Sequence, residues 1–251
     1  MTPRSRIEEA MKTCIVTGAA SGIGLATVRV LVAQGWTVAA FDRDAGVFED
    51  PRVSWQRVDI TDEAAVDAAV AGIAARDGGI AGLVNDAGAA IAKRFVDTTV
   101  DDLRRMLEIN LVGSFIVAKA VVRAMQAAAR GGAIVNVAST AGQIGHFERS
   151  AYGSAKGGVI VLTQVLAVEL AGDRIRVNAV SPGPVATPLV DAMHTAAMRA
   201  RWTDLTPQHR YAEPREIAEA IAFLLDDSKA SFITGHVLNV DGGLLTAGLM
   251  P

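Results

Sequence analysis

The chain has 251 residues, 51 % hydrophobic but only 5 % aromatic, so Ala, Val, Ile and Leu must fill the core of one large domain. Its net charge of −3 comes without a long block of like charge, which argues against nucleic acid or an anionic membrane as partner. A single cysteine, Cys14, excludes an internal disulfide and fits a reducing compartment. The start, Met1 to Lys12, carries Arg4, Arg6, Glu8 and Glu9 and lacks the apolar centre of a signal peptide. No uncharged apolar run reaches the ~18–20 residues of a membrane span, and Lys119 interrupts the run Leu111 to Val122. The expectation is a soluble, cytoplasmic chain.

Short apolar runs alternate with helical patterns, the signature of βαβ units and a parallel sheet. The first strand, Thr13–Thr17, runs into Thr17-Gly18-Ala19-Ala20-Ser21-Gly22-Ile23-Gly24, which opens a helix over Gly22–Ala33. Glycines there permit a tight turn and a close backbone approach to a pyrophosphate, which the helix N-terminus favours. The placement after strand one assigns Gly18, Ser21, Gly22, Ile23 and Gly24 to a dinucleotide site. The second strand, Thr37–Phe41, ends at Asp42, whose carboxylate can accept both adenosine ribose hydroxyls and would repel a 2′-phosphate. That points to NAD rather than NADP. Arg43 could bind such a phosphate or be a solvated arginine, and the glycine loop holds no basic residue to help it.

Only ten residues separate Asp42 from Val53, too few for a full crossover helix, so one helical turn or a loop is expected. The third strand, Val53–Val58, leads to Asp59 and Ile60. Asp59 either touches the adenine edge or holds a turn; with Ile60 it is assigned to the cofactor side. A helix over Asp62–Arg76 precedes the fourth strand, Gly82–Asn85. Asn85-Asp86-Ala87-Gly88 then sits at the carboxyl edge where doubly wound sheets bind ligands, which assigns Asn85, Ala87 and Gly88 to the site. A long helix is predicted over Asp101–Ala129. Asn110 lies inside it, where an amide is a poor helix former and, if buried, needs partners.

The fifth strand, Ala133–Val137, is followed by Ser139, and a helix over Ser150–Leu170 carries Tyr152 and Lys156. Four-residue spacing places the tyrosine and lysine on one helix face. A free phenol, with a pKa near ~10, is a poor base at neutral pH. A fixed ammonium beside it favours phenolate, which makes the group a usable general acid/base. Ser139 can hydrogen-bond the same reacting oxygen. The sixth strand, Arg176–Val180, runs into Pro182-Gly183, Val185 and Thr187. Pro188 to Ala212 reads as a polar cap over the substrate side, before a helix over Pro214–Leu225 and a last strand, Val237–Val240. Seven strands and their crossovers use nearly all of residues 1–251. The fold class is therefore α/β, a three-layer, doubly wound parallel sheet in a single domain with 188–212 as its capping segment.

These residues together resemble the short-chain dehydrogenase/reductase family in its compact form of about 250 residues, from Lys12 to Asp241-Gly242-Gly243. The resemblance implies a Rossmann fold, an NAD(P) cofactor and reversible hydride transfer between nicotinamide and a secondary alcohol or ketone. It implies Tyr152 as proton donor or acceptor, Ser139 as the group orienting the substrate oxygen, and Lys156 as the ligand of the nicotinamide ribose. Asn110 would hold a water continuing a proton relay from Lys156. Pro182, Gly183, Val185 and Thr187 would contact the nicotinamide amide and phosphate; read alone, they form a strand-to-cap turn. The family commonly has Asn-Asn-Ala-Gly where this chain has Asn85-Asp86-Ala87-Gly88, so Asp86 lacks the amide donors. A homotetramer built through the two long helices and the last strand is also implied.

The substrate is legible only as a small molecule. Gln143, His146, Phe147, Glu148 and Arg149, with Leu189, Met193, His194 and Trp202 from the cap, are candidate pocket residues. His146, Glu148 and Arg149 could equally form a solvated loop or a subunit contact. The polar members suit a polyol, a sugar or another hydroxylated compound, oxidised with NAD. An NADPH-dependent reductase of ketones or 3-oxoacyl thioesters is the runner-up, and a non-catalytic dinucleotide-sensing protein is the rival of another class. No metal is expected, because His146, His194, His209 and His236 show no ligand spacing. Ala151, Ala155 and Gly158 offer a small-residue face for packing against another subunit or against the chain's own sheet.

Overall fold

Runs of Val, Ile, Ala and Thr form seven parallel strands in one sheet, in the order β3-β2-β1-β4-β5-β6-β7. They are β1 Thr13–Thr17, β2 Thr37–Asp42, β3 Val53–Arg57, β4 Gly82–Asn85, β5 Gly132–Val137, β6 Ile175–Pro182 and β7 Val237–Val240. The structure is a computed structural model describing residues 12–46 and 48–247; most of the charged start lies outside the described residues. Every expected strand is present, with ends moved by two residues at most. Thr17 of β1 is level with Phe41 of β2 and Val16 with Val84 of β4. Strand order therefore reverses between β1 and β4, and the crossovers leave these two strands in opposite directions.

Two helical layers cover the sheet. On one face lie α1 (Gly22–Ala33) and α8 (Pro214–Leu225), packed around Val16, Leu31, Val84, Val135 and Ile221. On the other lie α2 (Glu63–Asp77), α4 (Gly113–Ala128) and α5 (Ser150–Glu169), around Ile15, Phe41, Leu83, Val121 and Ile134. Asp62 caps α2 by accepting from the Ala65 amide at 3.0 Å, and Gly78, at φ 70°, ends it.

The helix expected over Asp101–Ala129 is three pieces: α3 (Val100–Leu107), a π-helical turn Glu108–Val112, and α4. Two contacts explain the wide turn. The Asn110 amide is drawn to the Ala89 backbone, and Gly113 packs so tightly that a Cβ there would lie 2.5 Å from Ile60 Cδ1. The polar cap contains two helices where none was expected, α6 (Pro188–Met193) and α7 (Ala196–Leu205). Thr187 and Thr195 cap them, and Pro188 takes the first helical position, a readable start signal. A last short helix, α9, spans Asp227–Ala230. The Asp42-to-Val53 connection shows no helix among the described residues; Phe48 folds back on the first core cluster and its carbonyl accepts from Trp55 Nε1 at 3.0 Å.

The small-residue face of α5 is used within the chain. Ala151 and Ala155 pack against Met106, and a Cβ on Gly158 would stand 2.7 Å from Leu111 Cδ2. The segments Val100–Ala128 and Ser150–Glu169 are long enough and apolar enough to cross a membrane, with mean hydropathies of 1.4 and 1.3. Here both lie along the sheet, with Val117, Val121, Val159 and Ala167 buried. Ile134 is fully buried in the interior strand β5, whereas Val168 is 81 % exposed. Ile134→Ala should therefore cost about 2–5 kcal/mol of unfolding free energy, measured by urea titration. Val168→Ala should stay within about 0.5 kcal/mol of the parent chain.

Candidate functional site

At the carboxyl ends of β1 and β4, where the winding reverses, lies a cavity of about 540 Å³. The twelve-residue helix α1 opens onto it: Ser21 occupies the cap position without a cap hydrogen bond, the first turn holds no acid of its own, and Asp86 from the loop after β4 accepts from the Gly24 amide. Gly18, at φ 67°, lies so close to the loop after β4 that a Cβ would stand 2.9 Å from the Ala87 backbone. A Cβ on Gly24 would collide with the Gly18 carbonyl at 2.1 Å. A smooth-backboned turn opening a helix N-terminus is what a pyrophosphate requires, so these residues fit a dinucleotide. The Asp42 carboxylate is fixed at the far side, accepting from the amides of Ala20 at 2.9 Å and Asp44 at 3.0 Å.

Of the residues assigned from sequence, all but Gly24 and Asn85 border this cavity. Gly24 lies behind the turn. Asn85 is a brace between strands: its Nδ2 donates to Asn136 Oδ1 at 2.9 Å and to the Ser114 carbonyl at 3.2 Å. Although Asn85 ends β4, its side chain turns into the layer of the sheet rather than into the cavity, so its assignment as a cofactor ligand is corrected. Asp59 lines the cavity and also holds a turn, its Oδ1 accepting from the Thr61 amide at 3.0 Å and hydroxyl at 2.8 Å. Thr187 lines the wall while capping α6. Asn110, fully buried, clamps Ala89: its Nδ2 donates to the Ala89 carbonyl at 2.9 Å and its Oδ1 accepts from the Ala89 amide at 3.3 Å. Arg105 and Glu108, one turn before Asn110, also line the cavity and carried no signal in the sequence.

Ser139 follows β5, and Tyr152 and Lys156 project from the first two turns of α5. Lys156 is buried and its Nζ donates to the Val137 carbonyl at 2.7 Å. Burial presses its pKa below the usual lysine value, opposed by the nearby Asp86 carboxylate. Burial also holds the Tyr152 phenol above its ordinary pKa. The opposing pulls on that phenol come from a hydrogen bond with Ser139 and from the charge of Arg149. Arg149 is a cation that draws the phenol downward.

A second recess of about 110 Å³ adjoins the first. The two share Ser139, Tyr152, Gly183, Leu189 and Val190, so the phenol stands at their junction. Six expected pocket residues border it, namely His146, Arg149, Leu189, Met193, His194 and Trp202. Gln143 does not: its Nε2 donates to Ser181 Oγ at 2.6 Å and Asn239 Oδ1 at 2.7 Å, bracing β6 to β7. Phe147 is 73 % exposed under the Arg94 guanidinium, and Glu148 sits at φ 62° away from the recess.

A family model described as enoyl-(acyl carrier protein) reductase matches residues 18–245. The chain belongs to the short-chain dehydrogenase/reductase family. It is 44 % identical over 247 residues to cis-4-hydroxycyclohexanecarboxylate dehydrogenase of Sinomonas cyclohexanicum, covering 93 % of this chain and 96 % of that protein. Among solved structures it is similar to the ligand-free aldohexose dehydrogenase of Thermoplasma acidophilum (TM-score 0.88, 31 % identity, 96 % of each chain). It is equally similar to an ElxO variant with NADPH bound (TM-score 0.88, 29 % identity, 94 % of this chain and 100 % of that one).

In this dehydrogenase/reductase Asp86 stands at the cofactor cavity, part-buried, with its Oδ2 facing the Gly24 amide. Burial raises its carboxyl to about 7, against the downward pulls of Lys156 and the Gly24 amide and with the upward push of Asp42. A carboxyl with a folded pKa above its unfolded value binds an extra proton only when folded, so stability falls as pH rises through that window. Asp86→Asn removes the ionisation and keeps an acceptor for Gly24. The melting-temperature gain of the variant should be smallest near pH 4.5 and grow toward pH 7.5, followed by thermal scans. A gain independent of pH would show that Asp86 ionises as freely as an exposed carboxyl.

Proposed function

We propose that this short-chain dehydrogenase/reductase oxidises a secondary alcohol on a small ring with NAD as hydride acceptor. The observation that carries the reading is the position of Tyr152 and Ser139 at the junction of a large cavity fit for a dinucleotide and a small adjoining recess. The recess volume of 110 Å³, against about 30 Å³ per water molecule, suits a small ring better than an acyl chain. The likeness to a dehydrogenase named for a hydroxylated cyclohexane supports the same class.

When bound, the nicotinamide supplies the carbon that takes or returns the hydride. Tyr152 takes the hydroxyl proton as the C–H bond breaks and the C=O bond forms; in reduction it returns that proton to the developing alkoxide. Ser139 holds the same oxygen by its hydroxyl. Lys156, anchored on Val137, offers its remaining protons toward the ribose side of the cavity. Asn110 fixes the loop after β4 through Ala89. Asp42 supports NAD over NADP, since its carboxylate is held in place by two amides at the cavity's edge. The likeness to a protein with NADPH bound favours an NADPH-dependent reductase as second reading, with Arg43 at the same edge. Phe115 on α4 and Val161 and Val165 on α5 are exposed apolar residues that supply a face for a homotetramer.

Tyr152→Phe should lower kcat by about 10²–10⁴-fold while NADH binding, followed by fluorescence titration, changes little. Unchanged turnover in that variant would sink the general-acid/base assignment. Because burial holds the phenol protonated, the oxidation rate should rise with pH toward the tyrosine's ionisation and the reduction rate should fall. Asp42→Ser should shift the NADP/NAD ratio of kcat/KM upward by about tenfold or more, which steady-state kinetics with both cofactors would read. A parent enzyme active only with NADP would favour the second reading.

A further inference from the structure

The recess beside Tyr152 carries one positive charge and no acid. Arg149 occupies the position before α5 without a side-chain capping hydrogen bond and is half-buried, its guanidinium 5.9 Å from the centroid of the Tyr152 ring. Its Nη1 donates to the Ile91 carbonyl at 2.9 Å, and among the described residues it makes no other side-chain hydrogen bond and no ion pair. Glu148, its neighbour in sequence, attracts it only at longer range. No Asp or Glu borders the recess.

The other titratable groups there are held neutral. His146 and His194 flank Trp202, with ring centroids 5.3 Å and 6.2 Å from the indole. Burial, and then the charge of Arg149, push both imidazoles below their ordinary pKa, and Arg199 adds to this at His194. His194 Nδ1 pairs with Tyr211 Oη at 2.9 Å. An aromatic wall of neutral rings thus leaves the guanidinium as the one fixed charge facing the substrate space. The Arg149 donors that no protein group meets are not sealed from solvent, so they are available to a ligand in the recess. The planar fork of the guanidinium is the shape that a carboxylate fills with two parallel hydrogen bonds.

We infer that the substrate of this site is an anion, a hydroxy acid whose carboxylate docks on Arg149 while its secondary hydroxyl meets Ser139 and Tyr152. The inference rests on the ring-alcohol reading above and adds the charge that the recess selects. Arg149 has a second effect in the same place: its charge draws the Tyr152 phenol down. A bound carboxylate would offset that charge and weaken its pull on the phenol.

The test compares saturated six-membered-ring hydroxy acids with their primary carboxamides, equal in shape and lacking the charge. With NAD in excess, kcat/KM for the acid should exceed that for the carboxamide by about 30-fold or more, carried mainly by KM. Arg149→Gln should bring the acid-to-carboxamide ratio to within about threefold of one, and Arg149→Lys should restore part of it. A purely structural role for Arg149 would lower both substrates together and leave the ratio in place, which would overturn the inference. So would a parent enzyme that turns over the carboxamide as well as the acid. Competitive inhibition by the ring carboxylate lacking a hydroxyl, weakened in Arg149→Gln, gives an independent reading of the same contact. No turnover of any ring alcohol, charged or neutral, would overturn the ring-alcohol reading itself and is told apart in that way.

Discussion

The reversal of strand order between β1 and β4 is the constraint from which the site follows. Parallel strands need crossovers, and crossovers that depart in opposite directions cannot both cover the gap between their first strands. The carboxyl ends of β1 and β4 are left open, with the α1 N-terminus on one side and the loop after β4 on the other. That loop is pinned from both directions. The amides of Asp86 and Ala87 donate to Thr17 Oγ1 at 3.1 Å and 3.0 Å, and Asn110 grips Ala89 from the π-helical turn. The turn is therefore a device for position: widening the helix by one residue aims an amide at a backbone that an ordinary α-helix would miss.

Burial governs the chemistry set into this frame. Lys156, Tyr152 and Asp86 are each drawn toward the uncharged form by the loss of water; the Lys156–Asp86 pair only partly resists this, and Asp86 pushes the phenol further the same way. A tyrosine kept protonated is ready to give a proton and reluctant to take one. Charge supplied by a bound cofactor or removed by a bound anion would move that balance, so the resting site is biased rather than neutral between directions. Arg149 belongs to this balance as well as to the recess wall, which links what binds to how readily the phenol ionises.

Much of the frame was legible because it depends on the backbone. Thr-Gly-x-x-x-Gly-Ile-Gly marks a turn that tolerates no side chain, and alternating apolar runs mark strands buried on both faces. The ends of α1, α8, β1, β4 and β7 coincide with the expected residues for that reason. What escaped depends on side chains meeting from distant parts of the chain. The break at Glu108–Val112 needs Ala89 and Ile60, neither of which is near it in sequence. Asn85 reads as a strand-end ligand, and only the pairing of β4 with β5 reveals Asn136 as its partner. The helices α6 and α7 did leave a local trace in Thr187-Pro188 and Thr195, outweighed by the polar composition around them.

The two halves of the site accordingly differ in how they recognise what they bind. The cofactor half works through glycine backbone, helix amides and one fixed carboxylate, features that short motifs encode. The substrate half works through side chains brought together by a loop, a helix start and a cap: Arg149 from just before α5, His146 from the loop that leads to it, Trp202 from α7. None of these has a spacing rule, because each arrives on a different element. Motif residues can therefore fix the reaction while leaving the substrate free to vary with the cap. In this chain the cap and loop meet through the rings of His146, Trp202 and His194, the first pair tilted and the second stacked, and the selective element is the charge they surround.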